Sequence, residues 1–285
     1  MISRSTPIEI EAALQLVRET EERIRILKSQ GKKVHIIWDF DFVLASGRSD
    51  DIFSLAGFNL EQYFNYEARL SWQAPESGIW LQLATNLGRL HLSQDIVTAR
   101  SSYLAFRVMF FCIMKSIDPN WMRWMLFLGH QSKSDSFRII LESLIKDPDY
   151  HIIYIDDAKK HVDSFIALSK QMNIEDRTLG ILSPQIRLYS EEELKVHYDA
   201  VMGATGDKPV IIPHEIHGYG GFTVLPNGLA DFRSRAMFNC VDIHKEAVVA
   251  NLRPTLESFH QEMMPDKPMT VDSLYYCYEM LKDSH

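Results

Sequence analysis

The sequence has few cysteines and no long apolar run, and each shortage excludes a class of protein. Only three of its 285 residues are cysteine, Cys112, Cys240 and Cys277, and an odd, widely spaced set does not build a disulfide framework. No apolar stretch reaches the ~20 residues of a membrane-spanning helix. The N-terminal residues MISRSTP contain no apolar signal region. We therefore expect reduced thiols, no membrane partner and a cytoplasmic protein.

Dense positive charge is also lacking. The chain has 30 Lys and Arg against 38 Asp and Glu, which gives a formal net charge of −8. Without a basic run, this balance does not favour a nucleic-acid partner. The apolar fraction of 46% is that of an ordinary globular protein. A negatively charged chain of this kind can bind phosphate only if its pocket supplies local positive groups or a metal ion.

Short apolar segments alternate with helical segments along the first two thirds of the chain. The pattern predicts strands at 34–38, 95–97, 124–128, 151–155 and 178–182. Helices are predicted at about 7–30, 103–115, 134–145 and 158–170. Such alternation is typical of an α/β fold with a doubly wound, largely parallel sheet. Right-handed crossovers then bring the carboxyl ends of the strands to one edge.

Two aspartates one residue apart, Asp39 and Asp41, end the first predicted strand in the segment WDFDFVL. Side chains alternate along a strand, so residues two apart point the same way. In an open α/β sheet, ligands bind at the carboxyl ends of the strands. Two crowded carboxylates repel each other unless a cation, a proton or a phosphate-binding shell compensates them. Mg²⁺ with phosphate is the simplest compensation, and an acidic turn after a buried strand is the alternative.

Three further strand ends carry groups that suit phosphate chemistry. Thr98 follows the second strand, Lys133 follows the third, and Asp156 and Asp157 follow the fourth. Each has an ordinary structural explanation: Thr98 could cap a helix, Lys133 could be solvated, and the acidic pair could lie at a helix N-terminus. All of them together, on successive βα units, favour a site that binds phosphate and metal.

The order of these groups resembles the haloacid dehalogenase-like (HAD-like) phosphohydrolase superfamily over about residues 30–185: Asp-x-Asp, then Thr or Ser, then Lys, then an acidic pair. The segments DFDFVL, VTAR, FLGHQSK and IDDAKKH, with NLEQYFNYE after the first motif, are similar to the cytosolic 5′-nucleotidase I-type family. Two features depart from the family pattern. Phe40 and Phe42 stand where small residues are usual, and Gly129-His130 stands where Gly-Gly is common.

The resemblance implies a Rossmann-like core and phosphomonoester hydrolysis through an aspartyl-phosphate intermediate. Asp39 would be the nucleophile. Asp41 would protonate the leaving alkoxide and then activate water. Thr98 and backbone N–H groups such as that of Ala99 would bind phosphate oxygens, and Lys133 would neutralise charge on the phosphoryl group.

Mg²⁺ is the cofactor that the resemblance implies. The carboxylate of Asp39, the backbone carbonyl of Asp41, and Asp156 or Asp157 would hold the ion with hard oxygen ligands. The ion would offset repulsion between these carboxylates and the incoming phosphate. The spacing does not decide which member of the acidic pair is the direct ligand, so both Asp156 and Asp157 stay candidates.

A segment of about 46–92 separates the first two motifs, where the superfamily places a cap that covers the site and selects the substrate. The aromatic residues Phe58, Tyr63 and Tyr66 could stack on a nucleobase, at roughly 1–3 kcal/mol per base, or form the cap's own core. Arg100 could contact the substrate or hold the cap.

The resulting prediction is a core of residues 1–45 and 93–188, a small helical cap at 46–92 inserted after the first strand, and a C-terminal α+β extension at 189–285 packed on the core. The leading hypothesis for function is hydrolysis of a nucleoside 5′-monophosphate. A sugar phosphate or other small phosphoester is the second substrate class, and a non-catalytic binding protein on the same scaffold is the third interpretation. A monomer and a homo-oligomer both stay open.

Overall fold

The structure, a computed structural model, has a central β-sheet with helices on both faces. It describes residues 2–55, 57, 60–70, 74–100, 104–117, 122–128, 133–203, 223–224, 256–261, 263–265, 267–270, 273–274 and 276–277. The strands are β1 (Lys33–Trp38), β2 (Ser93–Thr98), β3 (Met122–Phe127), β4 (Tyr150–Asp156), β5 (Thr178–Leu182) and β6 (Thr223–Val224). The helices are α1 (Pro7–Ser29), α2 (Arg48–Leu55), α3 (Leu60–Arg69), α4 (Leu81–Arg89), α5 (Ala105–Met114), α6 (Lys133–Leu144), α7 (Lys159–Gln171) and α8 (Glu191–Gly203).

The strand order of the sheet is β5-β4-β1-β2-β3-β6. The strands β1 to β5 are parallel, and β6 pairs antiparallel with the edge of β3. The chain runs outward from β1 to β3 and then returns to β4 on the other side of β1. The order therefore reverses at β1, which is the position where open α/β sheets bind ligands at their carboxyl edge. This topology confirms the predicted doubly wound, largely parallel α/β fold.

The strand β1 sends side chains into two apolar layers. Ile36 and Trp38 pack in the cluster that contains residues of α1, α4 and α5. Ile37 packs on the opposite face, in the cluster that contains residues of α6 and α7. Because both faces are covered, the strand needs apolar residues at successive positions, which explains its nearly continuous apolar sequence.

The segment predicted as a cap, 46–92, has two parts in the structure. Its helices α2 and α3 contact α8, and Ile52, Tyr66 and Leu194 form a separate apolar cluster there. Its helix α4 instead contributes Leu83 and Leu87 to the large cluster beneath the sheet. Within this segment, α2 and α3 thus belong to the separate cluster and α4 to the core cluster, and the boundary of a cap at residue 92 stays a prediction.

The predicted C-terminal extension begins with α8, whose contacts are with α2 and α3. Further along, Thr223 and Val224 add a short strand to the sheet edge. Leu256, Leu274 and Cys277 form a small apolar cluster. Among the described residues, no helix combines the length and the apolar character needed to cross a membrane.

Candidate active site

The chain leaves β1 through a tight turn, Phe40–Leu44, closed by a 2.9 Å bond from the Ala45 N–H to the Phe40 carbonyl. Phe42 adopts φ 56° and ψ 1° inside this turn. Such a left-handed conformation is uncommon for a bulky residue and is kept only where the surroundings enforce it. The Arg187 guanidinium lies 5.1 Å from the Phe42 ring centroid, and the ring packs against Gly47. The packing of this ring therefore holds Phe42 in its left-handed conformation.

Substitution of Gly47 should disturb this turn. A Cβ atom at Gly47 would lie 2.0 Å from atoms of the Phe42 ring, so Gly47→Ala forces the ring to move. We expect a loss of about 1–3 kcal/mol in the free energy of unfolding, the usual cost of overpacking, measured by urea denaturation. The control is Gly203→Ala, because Gly203 has open space around it. Equal stability of the two variants would contradict this account of the turn.

Lys133 forms bonds both to Asp39, the predicted nucleophile, and to Asp156 of the acidic pair. Its Nζ atom lies 2.8 Å from Asp39 Oδ1 and 2.6 Å from Asp156 Oδ2. Lys133 is the first residue of α6 and is 3% exposed, although a lysine that follows a strand is usually solvated. A buried ammonium group between two carboxylates forms strong charge-assisted bonds. The structure thus brings together three residues that the sequence placed on different strand ends.

Asp156 is held by hydrogen bonds on both oxygens. Besides Lys133, the Tyr154 hydroxyl and the backbone N–H of Ala158 donate to it, the latter at 2.7 Å. The His161 ring Nδ1 lies 3.2 Å from Asp156 Oδ2. Burial by itself would raise the pKa of Asp156. Lys133 and these hydrogen bonds outweigh the effect of burial and lower this pKa below its usual range.

Asp157 is half-buried and accepts a 2.7 Å hydrogen bond from Gln185 Nε2. Burial raises the pKa of Asp157, Gln185 opposes this shift, and the nearby Asp156 adds to it. Burial also raises the pKa of Asp39 well above its usual range; Lys133 opposes the shift, and both members of the acidic pair reinforce it. Negative charge is therefore crowded at this edge of the sheet.

The crowded carboxylates fit a divalent cation. Asp39, Asp156 and Asp157 offer ligand oxygens that lie within 4.8 Å of one another. A set of carboxylate oxygens suits a hard ion such as Mg²⁺. Because Asp156 already accepts several hydrogen bonds, Asp157 has more capacity to bind a metal directly.

The carboxylate of Asp41 has a different partner from that of Asp39. Arg100 Nε donates to Asp41 Oδ2 and Arg100 Nη2 donates to Asp41 Oδ1, both at 2.7 Å. The remaining nitrogen, Nη1, donates to Glu67 Oε2 at 3.1 Å. Arg107 Nε donates to the same Glu67 oxygen at 3.0 Å. Sequence reasoning proposed Arg100 as a residue that contacts substrate or holds the cap; the structure shows bonds to Asp41 and to Glu67 of α3, and a substrate contact stays a prediction.

Sequence reasoning missed three residues near the site. Glu67 and Arg107 belong to the network around Arg100, and a lone charged residue in the apolar helix α5 is a signal for a buried ion pair. Asp50, in the first turn of α2, was also missed. Burial raises the pKa of Asp50 well above its usual range, and the nearby Asp41 contributes, whereas Arg100 opposes the shift. No sequence pattern marks Asp50, which lies in a polar stretch.

The predicted phosphate ligands lie at the same edge of the sheet. Thr98 is buried at the end of β2, the neighbour of β1, and its Oγ1 accepts a 3.1 Å bond from the Arg100 backbone N–H. Ala99, which follows it, is exposed. The phosphate-binding roles of Thr98 and Ala99 stay predictions.

The aromatic residues predicted to contact substrate differ in their surroundings. The Tyr63 ring is buried and lies 5.0 Å from the Phe53 ring. Tyr66 is fully buried, its hydroxyl bonds to His197 at 3.0 Å, and its ring stacks on Tyr198 in α8. These contacts do not support a substrate role for Tyr66, because they place it in the packing between α3 and α8. Phe58 lies outside the described residues.

Comparisons with known proteins add one resemblance. No family model and no curated protein matches this sequence. Among solved structures, the chain is similar to the HAD domain of the effector protein Lem4 from Legionella pneumophila, with 11% identity and a TM-score of 0.35 over 60% of this chain and 95% of that one. The inactive mutant of that domain gives the same identity and TM-score, with 94% of its chain covered. Likeness at this level carries no argument about activity.

Proposed function

We propose that this protein is a Mg²⁺-dependent phosphomonoester hydrolase of the HAD-like type. The observation that carries the proposal is the position of Lys133 Nζ, 2.8 Å from Asp39 Oδ1 and 2.6 Å from Asp156 Oδ2, beside a three-carboxylate cluster. A buried nucleophilic carboxylate, a fixed cation and a set of metal-binding oxygens together suit the transfer of a phosphoryl group. An acidic turn without chemistry would have no need of a buried lysine.

Asp39 would begin the reaction. One of its carboxylate oxygens attacks phosphorus, a bond forms between that oxygen and phosphorus, and the ester P–O bond breaks. Lys133 keeps the Asp39 carboxylate in place through its 2.8 Å bond and carries positive charge next to the phosphoryl oxygens. The product of this step is an aspartyl-phosphate and an alkoxide that needs a proton.

Asp41 would donate and accept the protons of the reaction. It gives a proton to the departing alkoxide, which leaves as an alcohol, and it later takes a proton from the water that attacks the aspartyl-phosphate. That second attack breaks the bond between Asp39 and phosphorus and releases inorganic phosphate. One residue, Phe40, separates Asp39 from Asp41, and the two carboxylates have different partners, Lys133 for Asp39 and Arg100 for Asp41.

The residues present fit Mg²⁺. Asp39 and Asp157 would hold the ion through carboxylate oxygens, the backbone carbonyl of Asp41 would be a further ligand, and Asp156 would stay bonded to Lys133. When bound, Mg²⁺ supplies positive charge that offsets the repulsion between these carboxylates and a phosphate dianion.

We propose nucleoside 5′-monophosphates as the substrate class. The 5′-nucleotidase-like segments support this class, as does the aromatic pair Phe53 and Tyr63 on the cap helices. Within the described residues, Lys133 is the buried cation bonded to Asp39, and the charge of Arg100 is shared between Asp41 and Glu67. This limited positive charge favours one phosphate group over a chain of them. A sugar phosphate with the same ester chemistry is the second candidate.

A phosphate-release screen tests the proposal. Nucleoside 5′-monophosphates, sugar phosphates and p-nitrophenyl phosphate are incubated with the protein and Mg²⁺, and free phosphate is measured with and without EDTA. We expect nucleotide hydrolysis with kcat/KM about tenfold or more above that for sugar phosphates, because a stacked base contributes roughly 1–3 kcal/mol, and we expect EDTA to abolish release. Release from no ester would refute the hydrolase, and preference for a sugar phosphate would refute the nucleotide.

A further inference from the structure

The guanidinium group of Arg100 binds both carboxylate oxygens of Asp41. Two parallel bonds of 2.7 Å join Arg100 Nε and Nη2 to the two carboxylate oxygens. The Arg100 Cζ atom lies 5.1 Å from the Phe40 ring centroid, so the ring supports the guanidinium plane from the side of the apolar core. Bidentate bonding of this kind fixes the direction of a carboxylate as well as its charge.

The guanidinium group is itself anchored by the cap helix α3. Arg100 Nη1 donates to Glu67 Oε2, and Glu67 is fully buried. Arg107, from the core helix α5, donates to the same oxygen and also to the backbone carbonyl of Leu70 just after α3. Arg100 therefore joins Asp41 to the cap, and Arg107 holds the same part of the cap without contacting Asp41.

We propose that Arg100 is a positioning residue that aims the Asp41 carboxyl group at the leaving oxygen of the substrate. This inference rests on the proposed function, in which Asp41 transfers the proton. When one oxygen of Asp41 turns towards the substrate, the other keeps its bond to Arg100, and Glu67 keeps the guanidinium in place. A displacement of about 1 Å in a reacting group lowers the rate roughly 100-fold, so loss of the bonds that hold Asp41 should lower the rate by a large factor.

This role predicts a dependence on the leaving group. An alkyl ester leaves as an alkoxide and needs the proton from Asp41 as its P–O bond breaks, whereas p-nitrophenolate leaves without a proton. Both esters need the same attack by Asp39 on phosphorus. Loss of Arg100 should therefore slow the first turnover of the alkyl ester and spare that of p-nitrophenyl phosphate, whereas general damage to the site would slow both.

The test compares Arg100→Gln with Arg107→Gln. Rapid-quench and stopped-flow measurements give the first-turnover release of nucleoside, from the 5′-monophosphate that the wild type hydrolyses fastest, and of p-nitrophenol. We expect Arg100→Gln to lower the nucleoside rate about 100-fold and the p-nitrophenol rate less than about threefold. Arg107→Gln removes the second guanidinium group from Glu67 but leaves both bonds from Arg100 to Asp41. The ratio of nucleoside release to p-nitrophenol release in this variant should therefore match the wild-type ratio within about threefold.

A second variant keeps the inference testable if Arg100→Gln does not fold. Arg100→Lys retains the charge next to Asp41 and Glu67 but replaces the fork by a point donor, and we expect a selective loss of about tenfold with the nucleotide. Thermal unfolding checks each variant. Equal losses on both esters, or the selective loss in Arg107→Gln, would overturn the inference while leaving the hydrolase in place. Absence of release by the wild type would refute the hydrolase itself.

Discussion

Replacing Asp39 with asparagine is expected to lower phosphate release by about 10⁴-fold or more, because an amide cannot form the acyl phosphate that the carboxylate forms. The measurement is phosphate release from the best substrate of the screen, together with acid-quench trapping of covalent phosphate on the protein. The wild type should carry trapped phosphate and the variant should carry none. Asparagine has nearly the same shape as aspartate, and Lys133 keeps its 2.6 Å bond to Asp156, so the fold should stay intact.

The matched control for this experiment is Asp163→Asn. Asp163 is exposed on α7, where it pairs with Lys159 at 2.6 Å, and an exposed pair contributes little to stability. Its replacement should change neither activity nor trapping. Near-normal hydrolysis by the Asp39 variant, with unchanged thermal unfolding, would disprove the nucleophile assignment.

The largest expected effect on stability follows from Glu67→Gln. Burial alone would raise the pKa of Glu67, but Arg100 and Arg107 outweigh it and lower this pKa to about 2. Neutralising Glu67 leaves two buried guanidinium groups without their shared anion, which costs about 3–5 kcal/mol in the free energy of unfolding. Chemical denaturation at pH 7 should show this loss. The control is Glu11→Gln, at an exposed pair with Arg18, where we expect a change below about 1 kcal/mol.

The contribution of Glu67 to the free energy of unfolding should decrease as the pH is lowered. The folded pKa of about 2 lies below the unfolded value of 4.5, so the carboxylate contributes its full stabilisation above about pH 4.5 and loses it as the pH falls towards 2. The stability difference between wild type and Glu67→Gln should therefore shrink by about 1 kcal/mol between pH 4.5 and pH 3.5. A difference that stays constant over this interval would mean that Glu67 is not an ion-paired carboxylate in the folded protein.

The sheet and the acidic end of β1 could be predicted because they depend on local pattern. Alternating burial on two covered faces gives each strand an apolar run, and the polar residue after each run marks the carboxyl end. Parallel crossovers then bring Asp39, Lys133 and Asp156 to one edge without further information. The fifth strand was placed at its observed bounds, Thr178–Leu182, for the same reason.

The network around Asp41 could not be predicted, because its members are distant in sequence. Asp41 and Arg100 are 59 residues apart, and Arg100 and Glu67 are 33 apart, so no periodicity links them. The aromatic residues of the cap pose the same difficulty: Tyr63 and Tyr66 lie on one helix, yet Tyr66 packs on Tyr198 of α8. Composition shows that residues 46–92 are rich in aromatic side chains, but only tertiary contacts show which helix each ring packs against.

The central position of β1 has a consequence for how the molecule opens. Hydrogen bonds to β2 and β4 hold both edges of this strand, and its side chains enter both apolar layers. Its amide protons can therefore exchange with solvent only when the sheet itself separates, which is close to global unfolding. The helices α2 and α3 have no such place in the sheet. Separation of α3 would break the bonds of Glu67 to Arg100 and Arg107, and the strand that carries Asp39 would stay folded.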